Sequence, residues 1–87
     1  MQKIGVDNMK IKQLEYLPKF YSREETKQKH KEIKEKIAEL IASGKLYQKE
    51  EEKLKTYDEE FPLSGDAYTR NYIIREINKI ISYVNSR

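Results

Sequence analysis

The sequence predicts an all-α protein: a compact three-helix bundle with an N-terminal arm or short extra helix. Three observations carry this expectation. Ile73, Ile77, Ile80 and Val84 recur at helical spacing near the carboxyl end, and Ile74 and Ile81 widen their stripe. The capping-box sequence Ser22-Arg-Glu-Glu25 opens an earlier run of the same period. Gly (3), Pro (2) and Trp (0) are scarce, which is poor material for a turn-rich β fold.

A chain of 87 residues makes one domain, read here as an arm or short helix over 1–21 and a three-helix domain over 22–87. Without Cys there is neither a disulfide nor a thiolate metal site. The hydrophobic fraction is 37% and the charged fraction 38%, so a thin core must be used efficiently. No apolar run approaches the roughly 18–20 residues that span a bilayer. The first residues lack the apolar run of a signal peptide. The expectation is a soluble, cytoplasmic protein with no membrane partner.

Taken in order, residues 1–8 show no periodicity and are expected to be loose. Met9, Ile11, Leu14 and Leu17 fit neither the helix nor the strand template. Asp7 could cap a short helix that Pro18 closes; an extended, docked arm is the alternative. Of Phe20 and Tyr21, at least one should be buried. The first long helix starts after Ser22, with Tyr21 stapling its first turn and Glu25–Lys29 and Glu32–Lys36 as i,i+4 pairs. Its stripe is Ile33, Ile37, Leu40 and Ile41, extended by Thr26 and His30, and Gly44 stops it. A second helix from about Gln48 to Glu60 has a thin stripe, Tyr47, Leu54, Tyr57 and Phe61, interrupted by Glu50. Pro62 breaks the chain, and Ser64 or Asp66 caps a third helix that runs to about Asn85. The breadth of the third helix's apolar face calls for two neighbours. The expected core is Leu14, Leu17, Phe20, Ile33, Ile37, Leu40, Ile41, Leu54, Tyr57, Phe61, Ile73, Ile77, Ile80, Ile81 and Val84.

Enzyme motifs do not emerge, and no catalytic, metal or cofactor residues are assigned. The three glycines stand far apart, so there is no phosphate loop. His30, the sole His, lies among lysines with little carboxylate support and is expected at the core rim or in solvent. Glu50-Glu51-Glu52 and Asp58-Glu59-Glu60 lack the turn residues of a Ca²⁺ loop and read as a solvated acidic face, with phosphate mimicry a remote alternative. The net charge is only +3, with basic ends and an acidic middle.

The sharper candidate is Tyr68, Tyr72, Arg75, Lys79 and Tyr83, which fall on one side of the third helix. A protein partner would use Tyr and Arg as anchors. A nucleic acid would use the cations for phosphates and the rings for stacking. The plain alternative is that the tyrosines cover the core edge while the cations keep it soluble. Ile74 and Ile81 exceed what two small neighbours can cover, which makes them candidates for self-association as a homodimer. The expected function is that of a non-enzymatic interaction protein: an adaptor, inhibitor or regulatory subunit, in the compositional style of phage and mobile-element proteins. The alternative is a small nucleic-acid-binding regulator.

Overall fold

The structure, a computed structural model, describes residues 10–63 and 65–87. The described residues form three α-helices: α1 over Arg23–Ala42, α2 over Gln48–Glu60 and α3 over Ala67–Ser86. A 3₁₀ turn, Phe61–Leu63, links α2 to α3. No strand occurs among the described residues. The expected all-α, three-helix architecture is the one observed. No described helix is long and apolar enough to cross a membrane.

Local chemistry sets the helix ends. The Ser22 hydroxyl accepts from the Glu25 N–H at 3.1 Å, and the Glu25 carboxylate accepts from the Ser22 N–H at 2.8 Å. This use of Glu25 withdraws it from Lys29. The expected i,i+4 pairs give way to i,i+3 pairs, Lys29–Glu32 at 2.9 Å and Lys36–Glu39 at 3.3 Å. Gly44 ends the first hairpin helix with φ 71°, a left-handed conformation that glycine adopts without a Cβ penalty. Asp66 caps α3 by accepting from the Thr69 N–H at 2.8 Å. Asp7, Met9 and Ser64 lie outside the described residues, as does the expectation that residues 1–8 are loose.

At about 100° per residue, α3 presents three faces roughly 120° apart. Ile73, Ile77, Ile80 and Val84 form the first, buried in the core with Ile33, Ile37, Leu40, Leu54 and Phe61. Asn71, Ile74, Asn78, Ile81 and Asn85 form the second, at the 3–4 spacing of a coiled-coil seam. The neighbour on that seam is an extended chain. Residues 11–18 have no helical structure, and burial recurs at Ile11, Leu14 and Leu17, every third residue. That period is the mark of a threefold extended chain.

Three asparagines hold this arm by its main chain. Asn85 accepts from the Ile11 N–H at 2.9 Å and donates to the Ile11 carbonyl at 2.9 Å. Asn78 does the same for Leu14 at 2.7 and 3.0 Å, and Asn71 for Leu17 at 2.8 and 3.1 Å. The chains run antiparallel. Seven helical residues rise about 10.5 Å, and three residues of a polyproline-type chain rise about 9.3 Å, so the two repeats stay nearly in step. Gln13 adds a bond to the Ser82 hydroxyl at 2.9 Å. The arm's other flank borders α1: Lys12 to Glu15 share one surface groove with Glu32, Glu35, Lys36 and Glu39.

Several expected positions are corrected by this arrangement. Ile74 and Ile81 are fully buried under the arm and offer no surface to a second copy. Phe20 is 84% exposed, because its neighbour Tyr21 takes the inward position and adjacent side chains of an extended segment point apart. Ile41 is 39% exposed, one residue past the inward-facing Leu40. Ile11 joins the core unforeseen. Glu50, expected to interrupt the α2 stripe, is clamped by the Arg87 guanidinium at 2.6 and 2.7 Å, while Arg87 also donates to the Lys45 carbonyl and lies over the Tyr47 ring. Glu50 further accepts from the Tyr47 N–H at 3.0 Å.

Three outcomes follow. Ile77 is fully buried, so Ile77→Ala should cost about 2–5 kcal/mol in a chemical melt. Asn78 is 7% exposed, and Asn78→Ala strands the buried N–H and C=O of Leu14. It should cost about 1–3 kcal/mol. The same change at the more open Asn85 should cost less, and equal losses would contradict a main-chain grip that depends on burial. Finally, hydrogen bonds from Arg87 hold the Glu50 carboxyl below its ordinary 4.5. A depressed carboxylate stabilises the fold above its unfolded pKa, and that contribution disappears as pH falls through the folded value. The gap in melting temperature between wild type and Glu50→Gln should therefore be present at pH 7 and close below about 4.5. A gap constant down to pH 2 would refute the ion pair.

Candidate interaction surface

The third face of α3 is left uncovered by the arm and by the other helices. Tyr68 is 84% exposed there, Tyr72 47% and Tyr83 54%, and the Arg75 and Lys79 side chains are more than half exposed. All five residues singled out from the sequence therefore reach solvent on one side. The arm brings a sixth, Tyr16, which falls between the buried positions Leu14 and Leu17 and so points outward. Tyr16, Tyr68, Asn71, Tyr72 and Arg75 line a shallow depression of about 170 Å³. Lys79 and Tyr83 lie farther along the helix and outside it. Tyr16 had no helical or strand register to place it, but the three-residue spacing of Ile11, Leu14 and Leu17 was a usable signal.

The electrostatics of this face are local. The Arg75 guanidinium lies 5.2 Å from the centroid of the Tyr72 ring. Glu76, whose side chain is 20% exposed, lies 3.2 Å from the Lys79 ammonium and 3.9 Å from Arg75. The two cations thus share one carboxylate. Tyr57 on α2 borders the face; burial raises its phenol pKa, helped by the nearby Glu76 charge and by Tyr72. It remains a neutral hydrogen-bonding group at physiological pH.

Elsewhere, His30 lies at the core rim as expected, but with a carboxylate partner that was not expected. Its Nε2 lies 3.0 Å from Asp58 Oδ1 and 3.2 Å from the Asp58 carbonyl, both of them acceptors. Nε2 therefore carries the proton. The ring stacks on Phe61 with centroids 6.1 Å apart and planes 8° from parallel. The carboxylate support that the sequence did not reveal comes from α2, 28 residues away. The acidic runs of α2 disperse: Glu50 goes to Arg87, Glu51 to Lys55 and Asp58 to His30. No group of three or more His, Asp or Glu side chains suited to a metal ion forms among the described residues.

Comparison with known proteins finds no matching family model, no matching curated protein and no matching solved structure.

Proposed function

We propose that the protein acts as a non-enzymatic adaptor, inhibitor or regulatory subunit that binds a protein partner on the open face of α3. One observation carries the reading: Tyr16, Tyr68, Tyr72 and Arg75 stand exposed around a single depression while the remaining two faces of α3 are buried. Tyr and Arg are among the residue types that dominate interface energetics: Tyr supplies a large contact area with a polar end on few rotatable bonds, and Arg a planar fork of donors that also stacks on rings. Phe20 and Leu63, 84% and 85% exposed, are further exposed apolar side chains, in the segments that precede α1 and α3. Nucleic-acid binding through the same stripe is less well supported, because Glu76 offsets half of the charge of Arg75 and Lys79 and leaves the stripe a net charge of only about +1 for phosphate contacts.

The experiment is capture from the native host with wild type and a Tyr68→Ala/Arg75→Ala variant side by side, with and without nuclease. A protein retained by wild type after nuclease should bind the variant at least about tenfold more weakly, since a hot-spot truncation costs on the order of 2 kcal/mol. Equal capture by both baits removes this surface from the interaction. Loss of the captured material on nuclease treatment favours the nucleic-acid reading instead.

A further inference from the structure

We infer that the cavity between the start of α1 and the start of α3 is a binding site for a phosphate group, presented free or as a monoester on a small molecule. The cavity has a volume of about 510 Å³ and is bounded by Tyr21, Arg23, Lys27, His30, Pro62 and Arg70, with the Ser22 and Thr26 hydroxyls at its edge. Three permanent cations line it and no carboxylate does.

Lys29, Lys36, Lys55, Lys79 and Arg87 each have a carboxylate within 4 Å. Among the described residues, Arg23, Lys27 and Arg70 have none. Several other described lysines, Lys31 and Lys34 among them, also have no carboxylate within 4 Å; this cavity differs in gathering three such cations in one lining. Arg70 is the informative one, because it is only partly exposed. Its Nη1 donates to the Tyr21 hydroxyl at 2.7 Å and its Nε to the Phe61 carbonyl at 3.4 Å. The guanidinium also lies 5.6 Å from the centroid of the Tyr21 ring and 5.8 Å from that of Phe61. These are neutral partners: they fix the fork in place without cancelling its charge, and Nη2 donates to nothing among the described residues. A half-buried guanidinium held rigidly with a free edge is suited to planar, bidentate recognition of an oxyanion.

The remaining donors fit the same ligand. The Tyr21 hydroxyl accepts from Arg70, which leaves its own proton to donate. Arg23 and Lys27 stand one turn apart on α1 and supply the outer charge. The carboxylates around the cavity are already engaged: Asp58 by the His30 ring behind the wall, Glu25 by the Ser22 N–H, and Asp66, which lies within electrostatic reach of Arg70, by the Thr69 N–H. Tyr21 and Pro62 give an apolar side against which the organic part of a monoester can rest.

The test uses the full chain, labelled with ¹⁵N and titrated with inorganic phosphate, then with phenyl phosphate, against sodium chloride at matched ionic strength. Saturable shifts are expected at the Arg70 Nε–H and at the amides of residues 21–27. Arg23→Gln/Lys27→Gln, two exposed positions whose loss should leave the fold and its circular dichroism intact, should weaken phosphate binding at least about tenfold. Tighter binding of phenyl phosphate assigns the site to a monoester, and equal binding assigns it to free phosphate. Shifts that rise linearly and are reproduced by chloride, or a double variant that binds phosphate as well as wild type, would overturn the assignment.

Discussion

The rest of the structure depends on the grip of Asn71, Asn78 and Asn85 on the main chain of the arm. An extended segment has no hydrogen bonds of its own, so burying one ordinarily strands its N–H and C=O groups. A side-chain amide carries both a donor and an acceptor, and can satisfy one residue's main chain completely. Placed at heptad intervals, three such amides make the polar part of the arm soluble in a protein interior. No buried side-chain nitrogen or oxygen among the described residues is left without a partner. The apolar part then follows: Ile11, Leu14 and Leu17 join Ile74 and Ile81 in one buried cluster with the rest of the core.

This constraint makes α3 the hub of the molecule. Its isoleucine face meets α1 and α2, and its asparagine face meets the arm. Among the described residues, only the third face, with its tyrosines, is left uncovered. The arm also contributes Tyr16 to that free face, so the composition of the candidate surface depends on the same amide ladder that closes the core. The bond between Arg87 and Glu50 ties the far end of α3 to the α1–α2 corner. The near end is tied by Arg70, which joins Tyr21 to Phe61. Both ends of the hub helix are thus anchored by arginine, in one case to a carboxylate and in the other to neutral groups, and this difference is what leaves positive charge facing the cavity beside α1.

Much of the architecture is legible in the residues themselves. The period of Ile73, Ile77, Ile80 and Val84, the Ser22–Glu25 box, the Gly44 stop and the Asp66 cap are local signals, and each appears where local physics puts it. The exposed Tyr68, Tyr72, Arg75, Lys79 and Tyr83 are legible for the same reason, since residues three and four apart share a helix face. The breadth of the apolar surface on α3 announced more than one neighbour; the helix meets three segments, α1, α2 and the arm, where two were expected.

What covers the asparagine face of α3 is a tertiary matter. The three-residue spacing of Ile11, Leu14 and Leu17 points to an extended chain, but neither it nor the asparagine heptad names its partner; each has meaning only opposite the other, 54 to 74 residues apart along the chain. The fate of Ile74 and Ile81, the carboxylate behind His30 and the lone fork of Arg70 share that character. Periodicity reveals which side of a helix must be covered, because that is a property of one segment. Which segment covers it, and which charges are left over afterwards, is settled only when distant parts of the chain meet and their hydrogen-bonding groups have to match.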